Sequence, residues 1–167
     1  GNSNVMIGED AGANQTDASG NVIIGQGAGE AITTGGFNIL MGVNAGNSYD
    51  AETHNLAIGY AALSGSVAGG EYNVAVGNYT LDALTSADNN VAIGYLAGSA
   101  ITTGGTNTLI GYEAGKDIST QTGNTFVGEQ AGRACTSSGN VGIGRDALYT
   151  NTTGQENVAI GDGALTS

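Results

Sequence analysis

Asn90-Val91-Ala92-Ile93-Gly94 is the stretch whose reading decides the fold. It recurs, with conservative changes, at Asn4, Asn21, Asn38, Asn55, Asn73, Asn107, Asn124, Asn140 and Asn157. Successive asparagines are 17, 17, 17, 18, 17, 17, 17, 16 and 17 residues apart, so ten copies fill a chain of 167 residues. A short fixed period is the mark of a stacked architecture in which each unit contacts mainly its neighbours.

Aligned on asparagine, the unit reads roughly Asn-Val-Ala-Ile-Gly-x-x-Ala-(Gly or Leu)-x-x-Ile-Thr-Thr-Gly-Gly-x. The Val-Ala-Ile segment is too short for a helix and has the β-branched character of a strand. The Gly, Asn and Thr clusters between copies carry turn chemistry. A second, shorter strand is expected from the Ala column toward Ile-Thr-Thr. The chain therefore reads as all-β: a parallel β-solenoid, a β-roll or β-helix, of about ten 17-residue coils in a single domain over residues 1–167. At ~4.8 Å per coil the rod is roughly 48 Å long.

Composition agrees. Gly accounts for 31 residues and Pro for none, as suits a chain whose amides mostly donate to a ladder. Fifteen acids against three bases give a net charge of −12. Nucleic acid needs clustered Lys and Arg, and Lys116, Arg133 and Arg145 form no patch in sequence. An anionic membrane surface is disfavoured for the same reason, and no transmembrane run is present. The dispersed acids read as a solvated surface. The single cysteine, Cys135, shares a column with Ile32, Tyr49, Leu84, Ile101 and Ile118 and reads as a small buried hydrophobe. The chain starts without Met and ends within a repeat, which reads as a fragment of a longer fibre.

Side chains alternate along a strand. The second and fourth places (Val5 and Ile7, Val22 and Ile24, Thr108 and Ile110, Thr125 and Val127) are expected to fill the coil interior. The third place then points outward. It holds Met6, Ile23, Leu40, Ala57, Ala75, Ala92, Leu109, Phe126, Gly142 and Ala159, with no charged or polar member. A strand with one wet face should alternate apolar and polar. An apolar outer stripe therefore predicts burial against another chain, and closed threefold symmetry uses one stripe three times. Asn4, Asn21, Asn38, Asn55, Asn73, Asn90, Asn107, Asn124, Asn140 and Asn157 are expected to form a structural ladder, bonding to one another or fastening the turns.

Three further columns bear on function. Tyr60, Tyr95 and Tyr112 share the sixth place; Tyr95 and Tyr112 fall in adjacent coils and can stack, and exposed aromatics suit a sugar surface. Thr33-Thr34, Thr102-Thr103 and Thr152-Thr153, with Thr16, Thr85 and Thr136, form a Thr-rich column that an ice-binding face would need, interrupted by Asp50 and Val67. Gly35-Gly36, Gly69-Gly70 and Gly104-Gly105 lack the Gly-x-Asp continuation of calcium-binding nonapeptides. No catalytic, cofactor or metal residue is assigned. His54, the sole histidine, precedes a turn and builds no Ser-His-Asp or Cys-His set.

The unit Asn140-Val141-Gly142-Ile143-Gly144-Arg145-Asp146-Ala147-Leu148-Tyr149-Thr150-Asn151-Thr152-Thr153-Gly154 resembles the 17-residue repeat of the phage tail-fibre domain family. The same core is similar to the head of trimeric autotransporter adhesins, whose repeat is shorter. The resemblance spans essentially the whole chain. It implies a fibrous homotrimer, a structural and attachment protein of a virion tail fibre or a cell surface, extracellular, that spaces or presents sites for a host-surface glycan or receptor. Ile-Gly-x-x-Ala also resembles one link of the hexapeptide repeat of left-handed β-helical acyltransferases, though one clear link per coil is present where three are needed. That enzyme and an ice-binding solenoid are the alternatives.

Overall fold

The computed structural model describes residues 1–65 and 69–166; Val67, one interruption of the Thr column, lies outside them. The described residues form ten three-residue strands: β1 (Val5–Ile7), β2 (Val22–Ile24), β3 (Ile39–Met41), β4 (Leu56–Ile58), β5 (Val74–Val76), β6 (Val91–Ile93), β7 (Thr108–Ile110), β8 (Thr125–Val127), β9 (Val141–Ile143) and β10 (Val158–Ile160). They make one parallel sheet in chain order. Pairing is in step with the repeat: Val91, Ala92 and Ile93 face Thr108, Leu109 and Ile110. The chain is thus an all-β parallel solenoid, with coils 1 to 10 each starting at its asparagine. Among the described residues no helix is long and apolar enough to cross a membrane.

Glycine at the fifth place turns the chain off the sheet. At Gly94 (φ 134°) an added Cβ would lie 2.3 Å from the Gly111 carbonyl oxygen of the next coil. Any side chain there would push two coils apart, which explains why the place never varies.

Among the described residues the expected second strand does not form. The segment after Gly is a run of turns stacked coil on coil. Within coil 1, Ala11, Ala13 and Gln15 donate to the carbonyls three residues back, while Gly12 and Asn14 donate to Ala28 and Glu30 of coil 2. The cause is backbone conformation: the seventh and ninth places are left-handed, as at Asp10 (φ 56°), Gly12 (φ 60°) and Leu63 (φ 51°), and extended pairing cannot run through them.

The faces of the strand are the reverse of the sequence expectation. The third place points into the coil's own interior. Ile23, Leu40, Ala57, Ala75, Ala92, Leu109 and Phe126 are fully buried, Gly142 is buried, and Ala159 nearly so; only Met6, in the first coil, is exposed. Those residues therefore cannot line a contact between chains. They pack on the Ala column and on Ile32, Tyr49, Leu84, Ile101, Ile118 and Cys135, all fully buried.

The ninth place shows why. It is Gly where the third place is bulky: Leu40 with Gly46, Leu109 with Gly115, Phe126 with Gly132. It is Leu where the third place is small: Ala57 with Leu63, Ala75 with Leu81, Gly142 with Leu148. A Cβ on Gly46 would lie 2.8 Å from Leu40 Cδ2, and one on Gly132 would lie 2.3 Å from Phe126. The two places share one volume. Ala92 with Gly98 is the exception, and there Leu109 and Leu81 of the flanking coils reach within 2.7 and 2.9 Å of the same point.

Candidate functional site

With the third place inside, the second and fourth places form the outer face of the sheet. The second place runs Val5, Val22, Ile39, Leu56, Val74, Val91, Thr108, Thr125, Val141 and Val158. The fourth runs Ile7, Ile24, Met41, Ile58, Val76, Ile93, Ile110, Val127, Ile143 and Ile160. Eighteen of the twenty are apolar and none is charged. Every one is partly or fully exposed, Ile39 at 41% and Ile143 at 39% among them. Ten coils by three residues give a face of about 48 by 10 Å, or roughly 480 Å². That falls within the range of the largest apolar patch on a soluble monomer, a kind of patch that often marks a binding surface.

Two aromatic stacks bracket this face along the chain. Phe37, His54 and Tyr72 each stand just before an asparagine, in left-handed backbone (φ 58–60°) that turns the ring outward. Their centroids are 5.2 and 5.1 Å apart with planes within 19° of parallel. After the strands come Tyr60, Tyr79, Tyr95 and Tyr112. Tyr60 and Tyr95 meet Tyr79 edge-on at 5.2 and 6.2 Å, and Tyr95 stacks on Tyr112 at 5.7 Å. The three tyrosines read from sequence thus share one ladder with Tyr79, which stands at the seventh place. Tyr95 and Tyr112 share a stacked face, whereas Tyr60 and Tyr79 meet their neighbours at an edge, and all four rings stay exposed. His54 Nδ1 is 2.9 Å from Thr53 Oγ1, and its ring is sandwiched in the first stack.

The asparagines form a continuous buried ladder. From Asn21 onward each backbone N–H donates to the side-chain carbonyl one coil earlier, as from Asn38 to Asn21 at 2.8 Å and from Asn90 to Asn73 at 3.0 Å. The side-chain amide donates to a turn carbonyl fourteen residues on, as from Asn73 to Ala87 at 2.8 Å. The 16-residue step disturbs this. Asn124 Nδ2 is buried with no partner, and Asn140 bonds Ser137 and Ser138 instead.

Part of the Thr column is spent within the rod, while Thr34, Thr103, Thr152 and Thr153 stay exposed. Thr16, Thr85 and Thr136 donate their hydroxyls to the carbonyls of Thr33, Thr102 and Thr152 in the next coil, and Thr33 bonds the Asp50 carboxylate.

A charged cluster joins coils 7 and 8, and sequence reading missed it. Glu113, nearly buried, accepts from Lys116 Nζ (2.9 Å) and Gln130 Nε2 (2.9 Å) and lies 3.4 Å from Arg133. The Lys116 bond, helped by Gln130 and Arg133, holds its carboxyl below the ordinary glutamate range, against the opposing effect of burial. Seventh and tenth places in consecutive coils were the available signal. Among the described residues no group of three or more His, Cys, Asp and Glu side chains is arranged to hold a metal.

In comparison with known proteins, the chain matches no family model, no curated protein and no solved structure.

Proposed function

We propose that this chain is a shaft or head segment of an extracellular attachment fibre, of the kind its repeat resembles in phage tail fibres and adhesin heads, and that it works as a homotrimer of β-solenoids. The observation that carries the reading is the outer sheet face, apolar at eighteen of twenty places along the rod. A partner must hide that face, and a partner without the same period would meet it at only a few rungs. A second copy matches every rung, and three copies around one axis close the set. The seam differs from the one the sequence suggested, but the demand for a partner is the same. The stacked aromatics at its margins are the residue types that anchor such contacts. A rod of this kind gives reach, and three weak sites on it gain by avidity.

Native mass spectrometry with sedimentation of the purified chain tests this. A trimer that Ile93→Lys converts to monomer, with unchanged β circular dichroism, is expected. A stable monomer with its outer face in water removes the proposal.

A further inference from the structure

The chain has seven tyrosines, and their surroundings differ. Tyr49 is fully buried, Tyr72 stacks on His54, and the Tyr149 hydroxyl accepts from Arg133 Nη1. The other four, Tyr60, Tyr79, Tyr95 and Tyr112, each touch the next ring in the ladder. Of these, only Tyr95 and Tyr112 hold the same place in adjacent coils and stack face to face, with centroids 5.7 Å apart and planes 14° from parallel.

The backbone pins this pair in register. On one side of Tyr112, the Gly111 N–H donates to the Ile93 carbonyl at 2.8 Å; on the other, the Glu113 N–H donates to the Tyr95 carbonyl at 2.9 Å. The two rings therefore start from equivalent points one coil apart. A turn about each Cβ–Cγ bond brings the carbons ortho to the hydroxyls edge to edge. Exposure of 45% at Tyr95 and 48% at Tyr112 leaves room for that turn and lets an oxidant reach both rings. Where Tyr79 meets Tyr60 and Tyr95, an edge faces a ring instead, so ortho carbons are not brought together. Little else in the chain competes for a one-electron oxidant. Trp is absent, and the one thiol, Cys135, is fully buried.

We infer that Tyr95 and Tyr112 are a modification site, joined by one-electron oxidation into an intrachain dityrosine that staples coil 6 to coil 7. The co-reactant is hydrogen peroxide used by a haem peroxidase. Each phenol gives up one electron and one proton, and the two tyrosyl radicals pair to form one carbon–carbon bond between ortho positions. The hydrogen on each joined carbon then moves as a proton to its own phenol oxygen, which restores both hydroxyls. The two electrons and two protons taken from the phenols reduce one peroxide to two waters. Radicals fixed in adjacent coils need no encounter between molecules, and that proximity favours this pair over any other. The inference goes beyond the fibre reading and does not rest on it.

The test is oxidation of the intact chain by a haem peroxidase with hydrogen peroxide, read by dityrosine fluorescence and by peptide mapping in the mass spectrometer. One linked peptide pair carrying Tyr95 and Tyr112 is expected, two hydrogens lighter than the separate peptides, in a yield that dilution does not change. Tyr95→Phe and Tyr112→Phe keep the ring and remove the phenol, and each should abolish the link; circular dichroism confirms their fold. Tyr72→Phe and Tyr149→Phe should leave the yield unchanged. The link closes a 17-residue loop, so the oxidised chain should unfold at higher guanidinium than the untreated one. No dityrosine, a link that survives Tyr112→Phe, a link that maps to other tyrosines, or a yield that falls on dilution each overturns the site. An unchanged unfolding midpoint in the linked chain overturns the staple.

Discussion

Coil 5 and coil 8 fill the same cross-section in opposite ways. Coil 5 puts Ala75 on the strand and Leu81 on the turn; coil 8 puts Phe126 on the strand and Gly132 on the turn. In coil 5 the leucine sits in left-handed backbone (φ 51°), a strain of about 1 kcal/mol. Its side chain is fully buried, which returns about 2 kcal/mol. Coil 8 keeps the strained place glycine and fills the volume from the strand. The two differ in their ladders as well: Asn73 uses its amide fully, whereas the Asn124 amide has no partner. The repeat thus conserves a total volume and a ladder, not a residue at each place.

The sharpest way to break this comparison is to mix the two solutions. Gly132→Leu alone drives a side chain into Phe126, since even its Cβ would lie 2.3 Å from the ring. Overpacking and left-handed strain together should cost about 4 kcal/mol in guanidinium unfolding. Phe126→Ala alone leaves a cavity and should cost about 4 kcal/mol. The double change rewrites coil 8 as coil 5 and should cost only about 1 kcal/mol, a coupling of several kcal/mol between adjacent places. Additive losses would show that the places do not share a volume.

That exchange also explains what was legible in the sequence and what was not. Period, strand position and the asparagine column could be read because each repeats at one place. The face of the strand could not be read from alternation, since Val91, Ala92 and Ile93 are all apolar and either parity gives an apolar exterior. The signal lay six residues away: Phe126 pairs with glycine and Ala75 with leucine, so those places meet inside. The turn run reads as a strand in sequence because Leu63 and Leu81 do not announce left-handed backbone. Phe37, His54 and Tyr72 share one place in three successive units and were readable by the same column logic that found Tyr95 and Tyr112.

A smaller difference is expected along the ladder. Asn73→Ala removes an acceptor for Asn90 and a donor to Ala87, and should cost about 3 kcal/mol. Asn124→Ala removes the acceptor for Asn140 but no donor bond, and should cost about half as much. Equal losses in the unfolding midpoint would mean that the side-chain amides contribute nothing to holding the turns.

The smallest contrast is in pH dependence, at the charged places of the same coils. At the tenth place Asp82 of coil 5 is half-buried, and burial raises its pKa above the ordinary aspartate range. Lys116 and Arg133 occupy that place in coils 7 and 8 and grip Glu113, which is shifted down. The two carboxyls therefore act with opposite sign. Glu113 contributes stability above its unfolded value, lost as pH falls through its depressed folded value. Asp82 favours the fold below its unfolded value, and that contribution fades as pH rises through its raised folded one. In a titration of the unfolding midpoint from neutral to acid pH, Glu113→Gln should flatten the acid-side loss, because no carboxylate remains to be protonated there. Asp82→Asn should raise stability at neutral pH and leave it unchanged in acid. A common direction for both variants would mean that the cations of coils 7 and 8 do not set the state of Glu113.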